Sequence, residues 1–201
     1  MNTEFLGDEM DHWKGSLILI LTKMKLIFNV AVDPMVTDHQ PWSEVNLLTY
    51  RRLLHLGQVS MICHADTTFS GRRKDYFAGI QHAGDLFLDP DTGISTGQAS
   101  RRHITVPEIC GLLNCHVNRK RVLMIYQHSA RGDFHERLTQ IGNMLLENCN
   151  QRVRYCVYQA RRVAMFFISQ NKKRIRAIQD YLCLYINDIE GGKVWGNGHI
   201  A

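Results

Sequence analysis

The sequence predicts an α/β fold, a doubly wound and mostly parallel sheet with one antiparallel strand near its C-terminal end. Three observations predict it. Short, continuously apolar runs alternate with longer stretches that carry apolar residues on one side, the pattern of doubly buried strands and covering helices. Two of those runs stop at Asp-Pro turns, Asp33-Pro34 and Asp89-Pro90. The last two runs are joined only by the short polar turn Gln159 to Arg162, which permits antiparallel pairing alone. A chain of 201 residues, 45% hydrophobic and 21% charged, lies near the globular average and is neither disordered nor fibrous. One α/β domain is expected over residues 1–190, with a flexible, glycine-rich tail over 191–201.

Asp11 to Lys25 reads as a helix, with acidic residues at its positive end and lysines at its negative end. Ile27 to Val32 is a strand, stopped by Asp33-Pro34. Ser43 caps a helix that ends near Gly57. Val59 to Cys63 is a short strand, Thr67 to Lys74 a loop and Asp75 to Ile80 a short helix. Asp85 to Leu88 is a buried strand, and a Gly/Ser/Thr loop follows from Ser95 to Ser100. Thr105 caps a helix that takes Pro107 in its first turn, with Glu108 behind it. Arg121 to Tyr126 is an apolar strand that delivers Gln127, His128 and Ser129 to its end. His135 to Asn148 is an amphipathic helix, Val153 to Tyr158 and Val163 to Ile168 are the closing strands, and Lys172 to Asn187 is the last helix.

The charge sum is mildly basic, a formal net charge of +5, which is compatible with an anionic partner. The run Leu17 to Leu21 is interrupted by Lys23 and Lys25, far short of the ~20 apolar residues of a membrane span, so no membrane association is expected. Acidic Glu4, Asp8, Glu9 and Asp11 stand where a secretory signal would be basic and apolar. The six cysteines form no CxxC pair and read as reduced thiols of a cytoplasmic protein. Cys110, Cys115 and His116 lack a second ligand pair, so no metal site is expected.

In a parallel α/β sheet, ligands bind outside the carboxyl ends of the strands. That rule selects Asp33, the stretch Asp89-Pro90-Asp91-Thr92-Gly93, and the stretch Gln127 to Arg131. Asp89 and Asp91 repel each other unless a cation or a proton lies between them, although D-P-D-T-G is equally good turn chemistry. His128 could serve as base or ligand, and Gln127 could bond a base or an amide; a histidine satisfied by a backbone carbonyl is the plainer alternative. Gly7, Asp8, Asp11 and Lys14 crowd polar groups before an apolar helix, where Asp11 and Lys14 can also simply pair one turn apart. Basic stretches at Arg72-Arg73-Lys74, Arg101-Arg102, Arg119-Lys120-Arg121 and Lys172-Lys173-Arg174 suit phosphate-bearing substrates if they share that rim, and are solvated faces otherwise.

Two of these motifs together resemble class I S-adenosylmethionine-dependent methyltransferases, especially the bacterial ribosomal-RNA adenine methyltransferases. That family opens with G-N-x-x-D-x-x-K-H, where this chain has Gly7-Asp8-x-x-Asp11-x-x-Lys14-Gly15. The family also runs a strand into D-P-P-Y, where this chain has Asp89-Pro90-Asp91-Thr92, and closes with helix, strand, helix and a pair of strands. A strand–D-P-D-x-G element followed by strand–Y-Q-H also resembles bacterial proteins of no assigned mechanism. The methyltransferase resemblance implies a Rossmann-like fold, S-adenosylmethionine as cofactor and a nucleic acid or nucleotide as substrate. It implies catalytic roles for Asp89, Asp91 and His128, with Asp89 accepting a hydrogen bond from the target amino group. It further implies cofactor contacts at Gly7, Asp11, Lys14 and Asp33, and substrate contacts at Gln127 and Arg131. The chain departs from the family in lacking the stacking aromatic of D-P-P-Y and the glycine-rich loop after the first strand, where Asp33-Pro34-Met35-Val36-Thr37 stands. Two alternatives stand beside it: a non-catalytic α/β binding protein that uses the same rim to hold a nucleotide or partner, and a haloacid-dehalogenase-like phosphohydrolase. In the latter Asp89 would be the nucleophile, Asp91 the acid/base and Mg²⁺ the bridge, with Ser129, Lys172 or Lys173, and Asp188 following in order.

Overall fold

The computed structural model describes residues 1–37, 41–56, 69, 73–80, 82–114, 120–129, 132–149, 152–185 and 192–197. The expected strand at Val59 to Cys63 and most of the loop before Lys74 lie outside the described residues, as do Cys115, His116, Arg131 and Asp188. Helices are α1 (Glu9–Lys23), α2 (Glu44–Leu53), α3 (Arg73–Ala78), α4 (Val106–Leu113), α5 (Phe134–Asn148) and α6 (Lys172–Tyr185). Strands β1 (Ala31–Asp33), β2 (Leu86–Leu88), β5 (Leu123–His128), β7 (Val163–Ser169), β6 (Arg154–Ala160) and β8 (Gly192–Gly196) form one six-stranded sheet in that order. A separate two-stranded ribbon joins β3 (Gly93–Ile94) to β4 (His103–Ile104).

The α/β class holds, and the expected sheet with one antiparallel strand is met only in part, because both β7 and β8 run against the other four strands. Parallel pairing is confined to β1–β2–β5. The pairs β5–β7, β7–β6 and β6–β8 are all antiparallel. The cause is the hairpin at Arg161-Arg162: β7 turns back and inserts between β5 and β6 instead of adding at the edge. The second correction concerns the C-terminal glycines. Gly192–Gly196 was expected in a flexible tail and instead forms β8 along β6. Gly196 is needed there because a Cβ would collide with the Tyr155 carbonyl, and Asn197 locks the end by accepting the Tyr155 N–H at 2.7 Å.

Strand side chains alternate between two apolar cores, as the pleat requires. On one face Leu86, Leu88, Leu123, Ile125, Phe166 and Ile168 pack with α4 and α5 residues such as Ile109, Leu138 and Ile141. On the other, Val32, Phe87, Met124, Met165 and Phe167 pack with Leu17 and Leu21 of α1, Tyr50 of α2 and Ile175 of α6. Both faces are therefore covered, which explains the unbroken apolar strands. The reduced-thiol expectation is corrected in part: Cys110 of α4 and Cys149 after α5 are disulfide-bonded, with Cα atoms 5.4 Å apart, while Cys156 and Cys183 are free. Cys110 and Cys149 lie 39 residues apart, a separation that sequence spacing does not flag, and meet because α4 and α5 pack on the same face. No helix among the described residues is long and apolar enough to cross a membrane.

Candidate functional site

Parallel β1, β2 and β5 point their carboxyl ends the same way, so Asp33, Asp89 and His128 share one edge of the sheet. The start of α1 meets that edge. Asp8 caps the helix by accepting the N–H groups of Met10 (2.8 Å) and Asp11 (3.0 Å). Helical spacing then stacks Asp11 under Lys14, whose Nζ reaches Asp11 Oδ1 at 2.8 Å and Asp89 Oδ2 at 2.9 Å. The two segments that carry the family resemblance, 75 residues apart, are thus in direct contact. Gly7, at φ +93°, turns the chain so that its N–H donates to Asp11 Oδ2 at 2.8 Å.

Two tyrosines complete the cluster, and sequence reasoning missed both. Tyr50 of α2 is fully buried and donates its hydroxyl to Asp89 Oδ2 at 2.6 Å. The ring of Tyr126 lies 4.3 Å from the Lys14 ammonium, close enough for cation–π attraction. The available signal was a tyrosine on an apolar helix face, whose hydroxyl must find a buried partner. Burial opposes the charge on Lys14, but Asp89 and Asp11 outweigh it and raise its pKa, so the ammonium is retained. Burial, reinforced by the Asp89 charge, pushes the Tyr50 hydroxyl well above its usual range. Asp11 is also raised, because its own burial exceeds the pull of Lys14.

Asp89 itself is 1% exposed and receives both of its side-chain bonds on Oδ2. Its Oδ1 accepts none among the described residues, and Asp89 lines a cavity of about 420 Å³. Also lining that cavity are Glu4, Phe5, Asp8, Asp11, Lys14, Asp91, Thr92, Arg102, Tyr126 and His128. Asp91 is held at its lip by Thr37 Oγ1 (2.6 Å) and the Met1 amine (2.8 Å). His128 is exposed, and its Nδ1 lies 2.9 Å from the Ser129 carbonyl.

Other expected site residues point inward. Asp33 is fully buried and accepts from the Met35 N–H (2.8 Å) and the Tyr76 hydroxyl (2.7 Å). Gln127, expected to meet substrate, is fully buried and clamps the loop after β2. Its Oε1 accepts the Ile94 N–H at 2.7 Å and its Nε2 donates to the Thr92 carbonyl at 2.9 Å. The clamp needs Gly93, whose φ of +102° and approach to the Gln127 amide leave no room for a Cβ. Strand β5 runs on through His128, so Gln127 lies in the sheet and not on the rim loop.

The described residues do not fit the two expected cofactors. The turn after β1, where a methyl donor's amino-acid end would need open backbone, is filled by Met35 and Val36, both fully buried. Asp11 and Lys14 spend their polar atoms on each other, on Asp89 and on the Gly7 N–H, and Asp33 Oδ1 is taken by the Met35 N–H and the Tyr76 hydroxyl. Mg²⁺ would need several free carboxylate oxygens, yet Asp89 offers one, with the Lys14 ammonium already against that carboxylate, and both oxygens of Asp91 are bonded. Among the described residues no three His, Cys, Asp or Glu side chains are grouped to hold a metal. Lys172 and Lys173, which the phosphohydrolase alternative would use, open α6 after the end of β7, beside the start of β5 and so across the sheet from Asp89. No family model, curated protein or solved structure matches the chain.

Proposed function

We propose that the chain is a methyltransferase-like α/β protein that binds the amino-bearing face of a nucleobase in the cavity over Asp89, and that it works as a nucleoside or nucleotide binder. The observation that carries this reading is Asp89, a buried carboxylate beside the cavity with Oδ2 pinned by Lys14 and Tyr50 and Oδ1 without a donor among the described residues. A buried acceptor of this kind gains a charge-assisted bond from an N–H donor and penalises a ligand that presents a carbonyl instead. The remaining lining agrees: carboxylates Glu4, Asp8, Asp11, Asp89 and Asp91 outnumber Lys14 and Arg102, so the cavity favours donor groups over acceptors. The contact between the Gly7–Lys14 segment and Asp89, and the closing order α4–β5–α5–β6–β7, support the methyltransferase-like part of the reading.

Isothermal titration of the wild-type protein with adenosine, cytidine, inosine and uridine tests it. Adenosine or cytidine is expected to bind at least about tenfold more tightly than its amino-to-carbonyl counterpart, inosine or uridine. Equal affinity within both pairs, or no binding to any nucleoside, refutes the reading. Binding of S-adenosylmethionine in the same series would return the protein to the enzyme class.

A further inference from the structure

The basic surplus of the chain lies largely outside the cavity. Arg174 is bound to Asp85, and Arg73 is bound to Glu108 with Nε–Oε1 at 2.7 Å. Of the two cationic side chains in the lining, Lys14 stands between Asp11 and Asp89, and Arg102 is exposed. At the mouth stand Glu4 and Asp8, both exposed. A chain with a formal net charge of +5 therefore carries an acidic cavity, with carboxylates at its mouth and at its buried end.

Between Glu4 and Asp8 the chain also presents Phe5 to the cavity. Phe5 is 58% exposed, although phenylalanine is among the residues most often buried. The exposure is not that of a frayed end. Asn2 Oδ1 accepts the Glu4 N–H at 2.9 Å, the Phe5 N–H donates to the Asn2 carbonyl at 3.1 Å, and the Phe5 carbonyl accepts the Asp8 N–H at 3.3 Å. The next residue, Leu6, packs against the core on the α1 side, which anchors the 3₁₀ turn Thr3–Phe5 and leaves Phe5 in the lining. Tyr126, deeper in the same cavity, is 4% exposed and already has the Lys14 ammonium over its ring at 4.3 Å and the Trp13 ring at 6.5 Å. The apolar aromatic face left open to a ligand is therefore that of Phe5.

We propose that Phe5 is the stacking platform for the base held at Asp89, and that the ligand is an uncharged, unphosphorylated nucleoside. Every base has a π-face to lay on an aromatic ring, so Phe5 supplies affinity while Asp89 supplies the choice of base. The carboxylates decide the rest. A phosphate ester would bring its negative charge toward Glu4 and Asp8, with Arg102 as the exposed cation in the lining to answer them. The proposal rests on the nucleobase reading of the cavity, and the two can fail separately.

The experiment is titration of the full chain and of its Phe5→Ala and Phe5→Trp variants. The probes are adenosine, inosine and adenosine monophosphate, at low and at raised salt, with thermal unfolding run alongside. Phe5→Ala should weaken adenosine and inosine by the same factor, about tenfold. It should leave the adenosine-to-inosine ratio and the melting temperature unchanged, because the ring is exposed and the ratio is set at Asp89. Phe5→Trp keeps an aromatic face and should bind adenosine at least as tightly as wild type. The monophosphate should bind wild type about fivefold more weakly than adenosine at low salt, and the gap should narrow as salt rises. Wild-type affinity in Phe5→Ala, or a monophosphate that binds as tightly as adenosine, overturns the proposal while an adenosine preference over inosine still upholds the base reading. Should Phe5→Ala also lower the melting temperature, Phe5→Trp decides, and weakened binding in that variant overturns the platform. Equal affinity for adenosine and inosine, both reduced by Phe5→Ala, removes the base reading and keeps the stacking platform. No binding of any probe refutes both.

Discussion

Strand β2 is flanked by an aspartate at each end, and the two are treated in opposite ways. Asp85, before the strand, is saturated. Its Oδ1 accepts from the Val122 N–H (2.8 Å) and Arg174 Nη1 (2.7 Å), and its Oδ2 from the Phe28 N–H (2.9 Å) and Arg174 Nη2 (2.6 Å). Arg174 also donates to the Leu26 carbonyl at 2.8 Å, so one ion pair ties α6 to the segment before β1 and to the start of β5. Asp89, after the strand, has two donors on one oxygen, none among the described residues on the other, and an open cavity beside it. Four donors on two oxygens make a clamp with nothing left to offer a ligand. Two donors on one oxygen make a fixed carboxylate with one acceptor to spare. Equal burial of the two aspartates says nothing of this difference; only the donor count separates structure from site.

The comparison breaks first at Asp85. Asp85→Ala should cost about 3–5 kcal/mol, because it strands a largely buried guanidinium and two backbone N–H groups. Denaturant unfolding measures it, and a loss under about 1 kcal/mol would show that the clamp is not needed. Nucleoside affinity, measured where the variant is still folded, should not move. The next largest effect lies at the other end. Asp89→Leu should cost about 3 kcal/mol, whereas Asp89→Leu combined with Lys14→Met, Asp11→Asn and Tyr50→Phe should recover most of that, since the whole buried charge group is then replaced at little net cost. Both variants should lose nucleoside binding. Recovery of stability without recovery of binding would sharpen the contrast; a combined variant as unstable as the sum of the singles would make Asp89 a second clamp.

Most of the layout was legible because it follows from periodicity. Asp11 to Lys25, Ser43 onward, Thr105 onward and His135 to Asn148 all announced helices within a few residues of α1, α2, α4 and α5. The rim rule also located Asp33, Asp89 and His128 at one edge. What failed depends on long-range placement. A hairpin requires β6 and β7 to pair, but nothing in Gln159 to Arg162 states which of them meets β5. Gly196 carries the glycine signal of a frayed end and is in fact the signature of close backbone approach. The apolar run ends at Tyr126, which by sequence puts Gln127 on the rim, yet β5 continues through it and turns its amide onto the Thr92–Ile94 loop. Tyr50 was invisible for the same reason: its partner, Asp89, lies 39 residues away.

The smallest effect is on the alkaline side, and it separates the site cluster from the clamp by proton count. The folded state holds the Lys14 and Tyr50 protons above their ordinary values of 10.5 and 10.0. For a group raised in this way, its contribution is fully present below the unfolded value and is lost as pH rises through the folded one. Asp11 has the same sign in a lower window. Its raised carboxyl adds stability below the ordinary value of 3.8 and loses it as pH climbs, so it does not drive acid unfolding. Stability should therefore fall above about pH 10, where the unfolded chain gives up these protons first. Tyr126, Tyr155 and Tyr158 are raised by burial too, so the slope alone does not single out the cluster. Tyr50→Phe does. It removes one raised group and should reduce the loss between about pH 9 and 11 by about 1 kcal/mol, while lowering stability at neutral pH through the lost bond to Asp89. Unfolding by denaturant at a series of pH values reads both quantities, and an unchanged alkaline slope in that variant would mean that Asp89 does not hold the Tyr50 proton.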